Sequence, residues 1–146
     1  MKGFLKNDKG QSMVEMALVM PLLLLLMFSI IEGGMLFANY VELQNKARDG
    51  ARYASIHSSE YPTASLTTEQ WRDTNLTPRL NSNVLLLDPD NLNINLTKNS
   101  DAADSWVEVQ LTYTLKLLTP LIGDLIADDP ANNTIDLTAR ITMRGE

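Results

Sequence analysis

Apolar residues dominate the first quarter of the chain. Residues 16–31 carry no charge, and apolar side chains resume after Glu32. With its flanks, this tract exceeds the roughly 20 residues that a membrane-spanning helix needs. A cleaved secretory signal and a buried helix of a soluble protein are the alternatives. The tract is longer than the apolar core of a signal peptide, no A-x-A cleavage site follows it, and its leucines leave no solvated side. We therefore predict one transmembrane helix over residues 11–38.

A pattern of helical period follows the apolar tract. Six apolar residues recur at intervals of three or four positions and define one stripe along a helix. This packing stripe consists of Leu36, Tyr40, Leu43, Ala47, Ala51 and Ala54. Glu42 and Lys46 lie on the other side at the favourable i, i+4 spacing. The pattern predicts an amphipathic helix over residues 39–57 that continues the span and packs through alanine on this domain or on another subunit.

Strict alternation of apolar and polar residues marks the last third of the chain. It occurs in residues 92–97, 107–117 and 135–143. One apolar and one polar face per strand is the pattern of an antiparallel sheet that is covered on one side. We therefore predict an α+β fold in which the long N-terminal helix packs on a small antiparallel sheet within residues 92–144, as part of a domain over residues 58–146.

The stretch between the helix and the strands has weaker signals. Thr67 and Gln70 have the spacing of a helix capping box, and Thr77 followed by a proline can open a further helix. The sequence from Asp88 to Asn91 contains a proline and predicts a turn.

Charge is distributed unevenly along the 146 residues. Residues 1–10 contain Lys2, Lys6 and Lys9 beside one acid and carry a net charge of +2, whereas the remainder carries −8. Lysine and arginine near the ends of a span favour the cytoplasmic side. The chain is thus expected to have a cytoplasmic basic leader over residues 1–10 and an extracytoplasmic domain. Because no basic patch is available to neutralise phosphates, nucleic acid is not expected as a partner.

Residues suited to catalysis or metal binding are sparse. The chain has no cysteine, and its single histidine, His57, therefore has no thiol to activate. No glycine-rich phosphate-binding motif occurs. Two pairs of acids could attract a metal, but neither continues as a calcium-binding loop; they are Asp88 with Asp90 and Asp128 with Asp129. We expect neither an enzyme, nor a cofactor, nor a metal site.

One acid lies at the start of the apolar tract. Glu15 follows Gly10 and Gln11, and an acid beside a membrane span normally persists only where it finds a partner. If the chain were cut after Gly10, the new amino group of Gln11 would lie roughly 6 Å from Glu15 along the helix. Within the span, Pro21 deletes one backbone hydrogen bond, which predicts a kink or local unwinding.

This arrangement resembles the type IV pilin-like families and, more narrowly, the TadE-like pseudopilins of tight-adherence pilus systems. The resemblance is carried by Gly10 with residues 14–23, by residues 45–54, and more loosely by residues 139–144. It implies a pilin-like fold, removal of the leader by a prepilin peptidase between Gly10 and Gln11, and a role for Glu15 in the axial register of subunits. The implied partners are other pilin or pseudopilin subunits, the assembly platform in the inner membrane and the lipid bilayer.

Two classes of function fit these features. The first is a membrane-anchored pilin-like subunit that assembles or primes a pilus filament for surface attachment. The alternative is a single-pass membrane protein that displays an extracytoplasmic binding domain and never joins a filament. A permanent anchor has no need of Gly10 and Glu15 at the pilin spacing, so the sequence favours the first.

Overall fold

A single long helix dominates the computed structural model, which describes residues 8–62, 66–82, 84–99, 105–119, 123–124, 126–129 and 131–145. Helix α1 spans Asp8–Ile56 and is 49 residues long. At 1.5 Å per residue it extends about 70 Å. The predicted transmembrane and amphipathic segments thus form one continuous helix. Residues 1–7 of the predicted leader, with Lys2 and Lys6, lie outside the described residues.

The apolar half of α1 is exposed along its whole length. Every large apolar side chain from Met13 to Ile31 is at least 39% exposed. Within the described residues, α1 is the one helix long and apolar enough to cross a membrane. It continues through Pro21 without interruption, so local unwinding is not observed there. Proline removes the hydrogen bond to the Ala17 carbonyl, and the helix continues despite that loss.

A series of short helical segments follows α1. A 3-10 turn covers Ser58–Glu60, α2 covers Thr68–Trp71, a π-helical turn covers Arg72–Leu76, and α3 covers Thr77–Asn81. The capping box before α2 is confirmed. Thr67 Oγ1 accepts a hydrogen bond from the Gln70 amide at 3.2 Å, while Gln70 Oε1 accepts one from the Thr67 amide at 3.0 Å.

Three antiparallel strands form the sheet. β1 spans Leu92–Asn99, β2 spans Trp106–Lys116 and β3 spans Thr134–Arg144, in the spatial order β1-β2-β3. In the centre of the sheet, Val109 lies opposite Leu96 on one side and Ile141 on the other. The turn predicted before β1 is a 3-10 turn over Pro89–Asn91. The α+β class predicted from the sequence is confirmed.

The core lies between the C-terminal half of α1 and one face of the sheet. Leu43, Ala47, Ala51 and Ala54 are completely buried, as are the sheet residues Val107, Val109, Leu111 and Ala139. Gly50 shares the helix face: a methyl group placed there would lie 3.5 Å from Val109 and 3.2 Å from Leu80. Short side chains on α1 therefore permit the sheet to approach the helix backbone closely.

The predicted packing stripe departs from the structure at its inner end. Leu36 is half-buried and Tyr40 is 42% exposed, with its hydroxyl accepting a hydrogen bond from Gln44. Asn39 is buried instead, and its side chain donates to the Met35 carbonyl at 2.8 Å. Toward the exposed apolar segment, the buried face of α1 thus continues through Asn39 and Glu32. Because these residues are polar, a search for apolar periodicity could not find them.

An aromatic cluster packs against the outer end of α1. Tyr61 and Trp71 stack with their ring centroids 4.1 Å apart, and the Tyr61 hydroxyl donates to the Ala54 carbonyl at 2.7 Å. Burial, and secondarily the charge of Glu60, raise the pKa of Tyr61 above its usual value. His57 is half-buried after the last turn of α1. These contacts attach the segment after α1 to the helix.

Candidate functional site

The residues predicted to govern processing and register lie together at the start of α1. Gly10, Gln11 and Glu15 are all exposed. The Gln11 side-chain amide donates to Glu15 Oε1 at 3.1 Å, a contact across one helical turn. Gln11 and Glu15 therefore share a helix face. An amino group produced by a cut between Gly10 and Gln11 would lie one turn from the Glu15 carboxylate.

Glu32, at the outer end of the exposed apolar segment, makes a contact that the sequence did not reveal. Its side chain is only 3% exposed. Glu32 Oε1 accepts hydrogen bonds from the backbone amides of Leu118 at 2.6 Å and Thr119 at 3.3 Å. Glu32 Oε2 has no hydrogen-bond partner among the described residues. This Glu32 contact holds the segment after β2 against α1.

Glu42 makes a similar contact further along α1. Its two carboxylate oxygens accept hydrogen bonds from the consecutive backbone amides of Leu85 at 2.8 Å and Leu86 at 2.9 Å. Lys46 donates to the Ser82 carbonyl at 2.6 Å. The sequence placed Glu42 and Lys46 on a solvated side of the helix as a pair. In the structure, each instead bonds the backbone of the segment that connects α3 to β1.

Replacing Glu32 with alanine is expected to lower the free energy of unfolding by about 1 kcal/mol, near the lower end for amides left without an acceptor. The low value is expected because Glu32 Oε2 is buried without a hydrogen-bond partner among the described residues, and removing the carboxylate also removes that cost of burial. The measurement is urea unfolding of the full chain in detergent micelles, followed by tryptophan fluorescence. Glu32→Gln retains an acceptor oxygen and should lose less. Equal midpoints for Glu32→Ala and the exposed-site control Glu69→Ala would show that the contact adds no stability.

The acids that the sequence singled out as metal candidates take part in turns. Asp88 Oδ1 accepts a hydrogen bond from the Asp90 amide at 3.1 Å, and Asp128 Oδ2 accepts one from the Asp136 amide at 2.9 Å. Hydrogen bonds from the Asn132 side chain, and then from nearby backbone amides, lower the pKa of Asp129. Among the described residues, no group of three or more acids or histidines is placed to hold a metal ion.

The described architecture is an α+β arrangement in which a long apolar N-terminal helix packs on a small antiparallel sheet. Residues 10–52 match the family model described as TadE-like protein, which confirms the resemblance seen in the sequence. The match lies entirely within α1 and includes Glu15, Glu32 and Glu42. No curated protein and no solved structure matches the chain. The family signature therefore resides in the helix.

Proposed function

We propose that this protein is a membrane-anchored subunit that assembles into, or primes, a tight-adherence pilus for surface attachment. The observation that carries the proposal is the contact between Gln11 and Glu15 at the start of an exposed apolar helix that matches the TadE-like family. A helix with this exposed apolar surface needs a lipid or protein environment along its whole length. A pilus subunit uses both in turn, first in the membrane and then in the filament.

Orientation and processing follow from the charges of the chain. The leader residues carry +2 and the rest of the chain −8, which supports a cytoplasmic leader, a single span and an extracytoplasmic domain. In this proposal a prepilin peptidase cuts between Gly10 and Gln11 and leaves a positively charged amino group on Gln11. The inner-membrane assembly platform then moves the subunit from lipid into contact with other pilin or pseudopilin subunits.

Glu15 has a defined role in this sequence of events. A lone carboxylate beside lipid is poorly solvated, whereas one that faces an amino group forms an ion pair that gains strength at low dielectric. Glu15 lies within one turn of Gln11 on an exposed face, which supports pairing with the amino group of its own or of a neighbouring subunit. Pairing with a neighbour would set the axial register between subunits.

The processing step is tested by mass spectrometry of the amino terminus in producing cells. Wild-type protein is expected to begin at Gln11, and Gly10→Phe is expected to retain the leader because a bulky side chain blocks the peptidase. Gly33→Phe is the matched control, since a side chain there meets no atom within 4 Å of its first carbon. A wild-type amino terminus at Met1, or anywhere after Ala38, would refute the proposal and favour a permanently anchored binding domain.

A further inference from the structure

Three adjoining cavities form one groove along α1. The first, of about 330 Å³, lies beside Phe28 and shares Glu32 with the second, of about 280 Å³. The second shares Ala38 with the third, of about 650 Å³, which reaches Asp49. At 1.5 Å per residue, the groove from Phe28 to Asp49 is about 30 Å long. It begins beside the exposed apolar segment and continues along the domain.

Three exposed leucines form the outer wall of this groove. Leu85 is 91% exposed, Leu86 55% and Leu118 70%. Their backbone amides are the groups that Glu32 and Glu42 bind. The leucines are therefore held outward by hydrogen bonds to the helix. A contiguous apolar surface held in this way is typical of an interaction site.

Three of the charged side chains along the groove, all of them lining its third cavity, are occupied by partners within the same chain. Glu42 binds the amides of the leucine segment, and Lys46 binds the Ser82 carbonyl. Asp49 pairs with the guanidinium of Arg79 at 3.1 Å. Because these three charges are already compensated, the third cavity favours an apolar occupant, and the exposed Lys116 lines only the second cavity.

We propose that the groove binds the apolar helix of a second copy of this chain, an inference that rests on the proposed function. The apolar segment over residues 13–31 would be about 28 Å long, which matches the groove. Lipid cannot fill the far end of the groove, because Asp49 lies about 17 Å beyond Ala38, where the predicted span ends. Alanine at position 38, which lines two of the cavities, allows a second helix to approach closely.

Disulfide cross-linking in piliated cells tests this docking, because the natural chain has no cysteine. One tagged copy carries Leu85→Cys, and a second, differently tagged copy carries one cysteine at each position from 13 to 31 in turn. Docking is expected to give mixed dimers at only one or two positions three or four residues apart, since a disulfide forms only where the two Cα atoms come within about 7 Å of each other. Ile56→Cys, exposed at the far end of α1, replaces Leu85→Cys as the control and should give none.

The outcomes separate this inference from the proposed function. Pairs with a cysteine at the same position in both apolar helices report subunit association by itself. If those pairs cross-link and Leu85→Cys does not, the docking inference is wrong and subunit association stands. Dimers that form only between two Leu85→Cys copies would also overturn it. So would reaction of Leu85→Cys with a maleimide that carries an acyl chain, if no cross-link forms, because lipid would then occupy the groove. If no pair cross-links, the docking inference fails, whereas the proposed function is refuted only by the amino terminus and filament yield measured separately.

Discussion

Cells that produce Glu15→Gln are expected to insert and cleave the protein normally and to lose most of their surface filaments. Glutamine keeps the shape of the side chain and its hydrogen bonding to Gln11 but removes the charge that would pair with an amino group. Neutralising an acid beside a span makes insertion easier, so a defect in assembly cannot be ascribed to failed insertion. In the proposed filament the contact recurs between successive subunits, and a modest loss per contact therefore produces a large loss of filament.

The measurement is the amount of filament released by shearing and counted per cell, together with the mass of the amino terminus. Glu69→Gln, which removes an exposed acid from α2, is the control and should leave filament yield unchanged. If Glu15→Gln cells produce as many filaments as wild type, the register hypothesis is wrong. A single-pass protein that displays a binding domain outside a filament would then be the better interpretation.

Ala51→Leu is expected to destabilise the domain by about 1–3 kcal/mol, the usual cost of overpacking a core. Ala51 is completely buried in a closely packed core, which has no free volume for the three further carbons of a leucine side chain. Leucine therefore fits only if the sheet moves away from α1. The same argument applies to Ala47→Leu. Urea unfolding of the full chain in micelles, followed by tryptophan fluorescence, measures the loss.

Arg52→Leu is the matched control, because it adds leucine to the neighbouring exposed position of the same helix. It should leave the unfolding midpoint close to that of wild type. An Ala51→Leu variant that unfolds at the same urea concentration as Arg52→Leu would show that α1 and the sheet are not closely packed at this point.

Local periodicity explains which parts of the fold could be predicted. The three alternating segments become β1, β2 and β3, because a strand with one covered face needs an apolar residue at every second position. The capping box at Thr67 could be predicted for a similar reason, since both of its partners lie within one turn. By contrast, residues 84–87 are apolar without a period, and nothing local indicates that Leu85 is held outward.

The candidate site likewise has a part that the sequence predicts and a part that it does not. Gly10, Gln11 and Glu15 are adjacent in sequence, so their spacing alone brings them to one helix face. Tyr40 shows the limit of such reasoning. Its spacing fits the apolar stripe, but Tyr40 is exposed. The rest of the domain covers the neighbouring helix face, which carries Asn39. Which face of a helix is covered depends on the segments that return to it.

By itself, the sequence determined the apolar helix, the alternating strands and the spacing of Glu15 from Gln11, because these are properties of neighbouring residues. Only the tertiary structure decided the contacts of Glu32 and Glu42, whose backbone partners lie 86 and 43 residues further along the chain. A carboxylate on a helix has the same local sequence whether it faces water or a distant amide. The return of the chain to α1 selects its partner, and it also creates the groove lined by the exposed leucines.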